Sequence, residues 1–301
     1  RPIDAPTDGI FFAGTAQGPK DIPASVAQGS AAAARAARVL NAETWEIEPV
    51  IAHVNPELCI SALAKKCGLC AEACPYNAIT VEVGRPALII PAKCHGCGGC
   101  VAECPQNAIT QDHFTDAQIV AQMREYLREK PEEKILVLMC HWCSYGGADN
   151  AGVSHFQYPP NSRGIRVMCS ARMDQDLVLE AFRRGAGMVL VSGCHPQDCH
   201  YISGQQVAAR RFGRLVYTLQ RLGINPERFR VEWISAAEGE KYARVITEMS
   251  QKLASFDREA LRRENEAARK AIMQRLLRWR LLPDMAAVLA EEEEEKEVVL
   301  E

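Results

Sequence analysis

At 301 residues with a formal net charge of −3, the chain is long enough for two or three domains, each with its own core. That charge argues against nucleic acid or an anionic membrane as the main partner, and no run of 18 apolar residues is present to span a bilayer directly. The thirteen cysteines are odd in number, clustered in CxxC spacing and unaccompanied by an export signal; they read as metal sites in a reducing, cytoplasmic setting rather than as disulfides. The chain begins Arg1-Pro2-Ile3 with neither Met nor a signal-peptide core, and it reads as a fragment or a mature piece.

Residues 1–50 open on Asp8-Gly9-Ile10-Phe11-Phe12-Ala13-Gly14-Thr15-Ala16, which reads as a turn, a short buried strand and a glycine-rich exit. A loop follows over 20–25, and alanine-rich composition predicts a helix over about 25–41. Strand, glycine turn and helix N-terminus suit a phosphate or a polar cofactor edge, although an ordinary βα unit has the same pattern. The stretch resembles the closing FAD-binding segment of two-dinucleotide-domain flavoproteins. It is still more similar to the flavin domain of the heterodisulfide reductase A-subunit, through Gly14-Thr15-Ala16-Gln17-Gly18-Pro19-Lys20-Asp21-Ile22-Pro23. This resemblance implies FAD contacts from Gly14, Thr15, Ala16, Lys20, Asp21 and Ile22. Thr15 stands where the wider family has Asp, so a carboxylate contact to the ribityl chain does not carry over. No GxGxxG occurs in the chain, so FAD would be shared with a missing N-terminal part or another chain.

Residues 51–112 hold eight of the thirteen cysteines in a short internal repeat. Cys67-Gly68-Leu69-Cys70-Ala71-Glu72-Ala73-Cys74-Pro75-Tyr76-Asn77-Ala78-Ile79-Thr80 recurs as Cys97-Gly98-Gly99-Cys100-Val101-Ala102-Glu103-Cys104-Pro105-Gln106-Asn107-Ala108-Ile109-Thr110. With Cys94 in front, the second copy is the run that bacterial-type ferredoxins use for [4Fe–4S] clusters. Each repeat is expected to be a cysteine loop, a short helix and a strand, over 78–83 or 108–110. A cysteine before Pro ligates the other cluster. This predicts Cys59, Cys67, Cys70 and Cys104 on one cluster, and Cys94, Cys97, Cys100 and Cys74 on the second. Gly68, Gly96, Gly98 and Gly99 are expected to permit the turns and to expose amides to the sulfurs. Residues 60–66 separate Cys59 from Cys67 where the second repeat has only two residues; either they form a surface loop, or Cys59 is no ligand and a three-iron cluster results. His95 reads as a neighbour rather than a ligand. A zinc ribbon is the competing reading, but zinc does not need three closely spaced cysteines plus a fourth before Pro, twice over.

Residues 113–256 alternate strand and helix. An amphipathic helix is expected over 113–130, buried strands over 134–139, 165–168 and 188–192, a last strand over 229–234, and helices near 173–184, 204–222 and 238–256. The pattern predicts a doubly wound, mostly parallel sheet. The first three strands run into Cys140 and Cys143, into Cys169, and into Cys194 and Cys199, so five thiols should meet at the strand C-termini, where open α/β sheets bind ligands. Two chelating pairs suit a four-thiolate [2Fe–2S] cluster, with Cys169 as neighbour or substitute. His141, His195 and His200 crowd the same place and leave a Rieske-like His pair open. A structural zinc, a redox disulfide from Cys140-x2-Cys143 and a thiol nucleophile with His are the other readings. Residues 257–301 read as a charged helix over 258–280, a second helix over 281–290 and an acidic run over 291–295, most simply a solvated end that could also dock a basic partner.

Cys140-His141-Trp142-Cys143, Cys169-Ser170, Gly185-Ala186-Gly187 and Gly193-Cys194-His195-Pro196-Gln197-Asp198-Cys199-His200-Tyr201 resemble the delta subunit of methyl-viologen-reducing hydrogenase, a [2Fe–2S] protein. Ala171 and Gln205 depart from the Gly and Asn of that family without removing a ligand. The chain thus resembles the C-terminal part of the heterodisulfide reductase A-subunit fused to a hydrogenase delta-like domain. That fusion resembles the B-subunit of quinone-interacting membrane-bound oxidoreductases. The fold implied is multidomain α/β and α+β: the end of a FAD-binding domain, a double-cluster ferredoxin and a parallel-sheet domain. The function implied is the redox subunit of an oxidoreductase complex, relaying electrons among FAD, two [4Fe–4S] clusters and a [2Fe–2S] cluster. Its partners would be heterodisulfide reductase B/C-like, hydrogenase, formate dehydrogenase or quinone-interacting subunits, with membrane association, if any, through them. A flavin-based electron-bifurcating component and a zinc-stabilised assembly scaffold are the alternatives.

Overall fold

The computed structural model describes residues 3–5, 9–43, 50–63 and 65–278. The chain divides into two compact units, residues 1–49 and 50–301. In the first, an isolated bridge joins Asp4 to Phe11, a 3-10 turn covers Gly14–Ala16, and helix α1 covers Ile22–Leu40. The helix begins earlier than alanine content suggests because Asp21 accepts a hydrogen bond from Ala24 N at 2.7 Å. Pro23 falls in its first turn, where no amide partner is lost. Arg35 returns to pair with Asp4 at 3.0 Å.

The second unit begins with the cysteine repeats. Strand β1 (Ala52–Val54) leads to helix α2 (Leu69–Glu72), β2 (Ile79–Thr80), β3 (Leu88–Ile89), α3 (Gly99–Ala102) and β4 (Ile109–Gln111). The pairing is antiparallel, β1 with β4 and β2 with β3. Asn77 and Asn107 occupy equivalent places in the two repeats with φ of 50° and 48°. Asparagine tolerates this left-handed conformation better than most residues. The resulting bend turns the amides of Ala78 and Ala108 onto the sulfurs of Cys74 (3.5 Å) and Cys104 (3.2 Å).

Helix α4 (Asp116–Leu127), closed by a capping box at Thr115 and Gln118, leads into β5 (Ile135–Cys140), α5 (Gly146–Val153), β6 (Ser162–Val167), α6 (Gln175–Arg183), β7 (Met188–Gly193), α7 (Gly204–Arg221), β8 (Phe229–Trp233), α8 (Gly239–Ser255) and α9 (Arg258–Arg278). The four strands are parallel in the order β6-β5-β7-β8. β5 and β7 are fully buried, as expected of a sheet covered on both faces. Leu136, Leu138, Val189 and Val191 face α4, α6 and α7, while Ile135, Val137, Met139 and Leu190 face α5 and α8. The chain leaves β5 for one neighbour and returns on its other side for β7, so the switch point lies at the C-terminal end of β5, which is Cys140.

Several features differ from the sequence expectation. β6 is an edge strand with Arg163 and Arg166 exposed rather than buried on both faces. The strand expected over 78–83 covers only Ile79–Thr80, and β1 and β3 are added. Two helices depart from it as well. α5 is an extra helix, formed in a glycine-rich stretch where neither periodicity nor propensity signals one. α9 is no free tail: Leu261, Ala268, Ile272 and Leu276 are all buried, and its polar side reaches Glu132 through Arg262 Nε at 2.8 Å. The expected helix over 281–290 and the acidic run over 291–295 lie outside the described residues. Among the described residues no helix is long and apolar enough to cross a membrane.

The buried faces make concrete predictions. Phe182 is wholly buried under the Arg228 guanidinium, 5.0 Å from its ring centroid; Phe182→Ala should cost about 3–5 kcal/mol. A Cβ on Gly187 would lie 2.8 Å from Leu253 Cδ1 and 2.9 Å from the Glu132 carbonyl carbon, so Gly187→Ala should cost about 1–3 kcal/mol through overpacking. Urea unfolding followed by far-UV circular dichroism reads both; unchanged midpoints would contradict this packing.

Candidate metal centres

The eight ferredoxin cysteines divide between two cavities. One is lined by Cys59, Cys67, Cys70 and Cys104 together with Val54, Ile60 and Leu69. The other is lined by Cys74, Cys94, Cys97 and Cys100 together with Tyr76, Ile79 and His95. The cysteine before each proline therefore lies in the other repeat's cavity, and Cys59 shares its cavity with Cys67 despite residues 60–66. Cys59 Sγ also accepts the Ala87 amide at 3.5 Å. Of the four glycines expected to make the turns, only Gly96 (φ 63°) and Gly98 (φ 77°) are left-handed. Gly68 has a φ of −165°, open to any residue, and Gly99 lies in α3. A Cβ at Gly96 would be driven into Val50. His95 stacks on Tyr76 with ring centroids 3.9 Å apart.

Burial governs the chemistry of these thiols. It pushes Cys70 and Cys97 up to about 11, and raises Cys100 and Cys104 as well. Neutral at pH 7 on their own, such thiols ionise when a cation replaces their protons. Eight sulfurs in two apolar cavities, with amides aimed at some of them, are a donor set suited to iron–sulfur clusters.

The third thiol group sits at the switch point of the sheet. Cys140 ends β5, Cys169 follows β6 and Cys194 follows β7. Cys143 lies in a π-helical turn, His141–Tyr145, and Cys199 in the loop before α7. Cys140 and Cys194 have their sulfurs 3.8 Å apart. Cys194 stands centrally, within hydrogen-bonding reach of Cys140, Cys143 and Cys199, while Cys169 reaches only Cys199 among the five. Donated S–H bonds drive Cys140 and Cys199 down; the same contacts drive Cys143, Cys169 and Cys194 up. All five predicted thiols are thus brought together. Gln197 (φ 72°) and Ile202 (φ 63°) are left-handed in the loop carrying Cys199, an unfavourable conformation for a β-branched residue. The histidines engage other partners. His195 Nε2 is 2.6 Å from Glu238 Oε2, His141 Nδ1 is 3.3 Å from Arg166 Nη1, and His200 stacks on Trp142 at 4.0 Å.

Sequence reasoning missed the joint between the second cavity and this third group. Tyr76 and Cys97 pack in one apolar cluster with Cys169, Ala171, Cys199 and Tyr201. Trp142 Nε1 donates to Tyr201 Oη at 3.1 Å. Arg211 spans the joint, donating to Ala171 O at 2.8 Å and pairing with Glu103. The motifs contain most of these residues but carry no sign that they meet, and Arg211 lies outside every motif. The nearest signal is that Glu103 and Ala171 both flank cysteines. In the first unit, Gly14, Thr15 and Ala16 form the 3-10 turn, and the Asp21 carboxylate is occupied as the α1 cap.

The family model for the delta subunit of methyl-viologen-reducing hydrogenase matches residues 135–257, and a 4Fe-4S dicluster domain matches residues 65–109. The A-subunit of the Ferredoxin/F(420)H(2)-dependent CoB-CoM heterodisulfide reductase of Methanosarcina acetivorans is 48% identical over 254 residues, 84% of this chain and 31% of the relative. The A-subunit of the Ferredoxin:CoB-CoM heterodisulfide reductase of Methanosarcina mazei is 47% identical over the same proportions. This chain therefore spans about a third of those relatives. The iron-sulfur D-subunit of the F420-non-reducing hydrogenase vhc of Methanococcus voltae is 48% identical over 127 residues, 42% of this chain and 88% of the relative. The chain belongs to the hydrogenase delta-subunit family, with its delta domain fused behind a ferredoxin region like that of the heterodisulfide reductase A-subunit.

Proposed function

We propose that the chain is an electron relay within a heterodisulfide reductase-type complex, carrying electrons among two [4Fe–4S] clusters, a [2Fe–2S] cluster and FAD. The observation that carries this reading is the shared apolar packing of Cys97 from the second cavity with Cys169 and Cys199 from the third thiol group. It supports one order of sites: the Cys59, Cys67, Cys70 and Cys104 cavity is distal, the Cys74, Cys94, Cys97 and Cys100 cavity is proximal, and the sheet-edge thiols come last.

In this reading Cys59, Cys67, Cys70 and Cys104 hold one [4Fe–4S] cluster, and Cys74, Cys94, Cys97 and Cys100 hold the other. Cys140, Cys143, Cys194 and Cys199 hold the [2Fe–2S] cluster, because Cys194 gathers the other three. Cys169 is a neighbour facing the ferredoxin. The clusters supply one-electron chemistry at potentials the protein adjusts through burial and amide–sulfur hydrogen bonds. The chain's own part is to exclude water with Tyr76, Val101, Ile109 and Tyr201, and to donate amides from Ala78, Ala87 and Ala108. FAD contacts from Gly14, Thr15, Ala16, Lys20 and Ile22 complete the proposal, with Asp21 acting through its cap and the rest of the flavin held by sequence outside this chain. Partners of the heterodisulfide reductase B/C or hydrogenase type would supply donor and acceptor.

Metal and sulfide analysis of the anaerobically purified chain, with EPR of the reduced form, tests the relay. About ten irons per chain are expected from two four-iron and one two-iron cluster; zinc without iron and sulfide overturns the relay, and about four irons overturns the double ferredoxin. In the same assay Cys59→Ala should convert the distal signal to a three-iron type, and two unchanged four-iron signals would remove Cys59 as a ligand. Cys194→Ala should abolish the two-iron signal while Cys169→Ala retains it; the reverse result would exchange their roles.

A further inference from the structure

We infer that Arg172 sets the potential of the proximal four-iron site, acting as a fixed positive charge buried between the two cysteine regions. The inference rests on reading the cavity of Cys74, Cys94, Cys97 and Cys100 as a [4Fe–4S] site. Arg172 closes the 3-10 turn Ser170–Arg172 that follows Cys169, and its side chain is wholly buried. An arginine retains its charge in a protein, and charges removed from water act on their neighbours with little screening.

The direction in which this charge points comes from its packing. A Cβ on Gly98 would lie 2.7 Å from Arg172 Cδ and 3.0 Å from its Cβ. The arginine stem therefore rests directly on the Cys97-Gly98-Gly99-Cys100 turn, with no room for water between. Beyond the stem, Nε and Nη2 donate to Phe114 O at 3.2 and 2.9 Å, and Nη2 donates to Asp116 Oδ1 at 2.5 Å. Nη1 lies 4.0 Å from Asp174 Oδ2 and has no hydrogen-bond partner among the described residues. Both carboxylates are thus reached through the far end of the guanidinium. The stem lies on the cysteine turn, the guanidinium comes next behind it, and the two carboxylates lie beyond the guanidinium, so along this line the positive charge is nearer the turn than the negative charge is. Gln111 packs on the same face of Gly98 and holds the turn by donating to Gly96 O.

A reduced cluster carries one more negative charge than an oxidised one, so a nearby cation favours the reduced form and raises the potential. The distal cavity has no comparable contact with Arg172 among the described residues, so the effect should be confined to the proximal site. This assignment differs from a purely structural role, in which Arg172 would only join the ferredoxin to the sheet domain. A structural role predicts loss of cluster content or a disturbance of both sites, with no defined sign.

EPR-monitored redox titration of the full chain separates these outcomes, using wild type, Arg172→Gln, Arg172→Lys and Asp116→Asn, each with its iron and sulfide content measured. Arg172→Gln should move one of the two four-iron signals to lower potential and leave the other in place. Arg172→Lys, which keeps the charge, should restore most of that shift. Asp116→Asn keeps an acceptor oxygen for Arg172 Nη2 and removes a negative charge, so it should move the same signal to higher potential; it decides the matter if Arg172→Gln fails to fold. Unmoved signals in Asp116→Asn and Arg172→Gln, equal shifts of both signals, or a shift of the wrong sign would overturn the assignment. A wild-type chain without titratable four-iron signals would instead overturn the reading of the cavity itself.

Discussion

The cysteine that precedes proline in each repeat sits in the other repeat's cavity, and the ferredoxin region is arranged to keep it there. Cys104 must reach across to Cys59, Cys67 and Cys70, while Cys74 must reach back to Cys94, Cys97 and Cys100. Neither repeat can then complete its site alone, and the two must fold together. The pairing of β1 with β4 brings the two ends of the region together, and the left-handed Asn77 and Asn107 turn an amide onto each exchanged sulfur. A four-residue helix has little stability of its own. The short helices α2 and α3 are held by the loops on either side, so this part of the fold depends on the filling of its cavities more than on a large apolar core.

The sheet domain answers the same problem differently. Five thiols come from three strand ends, and parallel strands deliver those ends to one edge as a matter of topology. Each helix returns the chain to the opposite edge, so every strand leaves the sheet on the same side. The burial of Leu136, Leu138, Val189 and Val191 on one face, and of Ile135, Val137 and Leu190 on the other, makes the convergence rigid before any metal is present. Here the core builds the site; in the ferredoxin the site substitutes for much of the core.

This contrast explains which parts were legible in the sequence. Strands β5 and β7 were legible as continuous apolar runs between turn signals, and the repeat was legible because identical residues recur at one offset. Five convergent cysteines followed from strands that end in cysteine. Helix α5 was not legible, since Gly146 and Gly147 argue against a helix and close packing overrides them: a Cβ at Gly147 would meet Ile234 at 2.9 Å, and one at Gly239 of α8 would meet Ala151 N at 2.6 Å. The docking of α9 was hidden for another reason. Its apolar face is narrow and its charged residues dominate the composition, so only contact with α6 reveals it. Joints between domains leave no periodic trace at all, because each is built from one or two residues of several distant segments.

That joint carries charge where apolar packing would be the simpler choice. Arg172 with Asp116, and Arg211 with Glu103, occupy the same seam as Ala171, Gly99 and Cys97. Replacing buried ion pairs by apolar residues of similar size is often neutral or stabilising, so their presence is weak evidence for a contribution to stability. Small apolar side chains such as Ala171 can slide against a glycine turn with little penalty, whereas a guanidinium that donates to Phe114 O and Asp116 has one acceptable position. Electron transfer falls steeply with separation, so in the proposed relay the two sites need a fixed distance more than they need a strong interface. The buried ion pairs suit that registry, because Arg172, whose stem lies on the Cys97–Cys100 turn, is tied at its guanidinium to Phe114 O and Asp116.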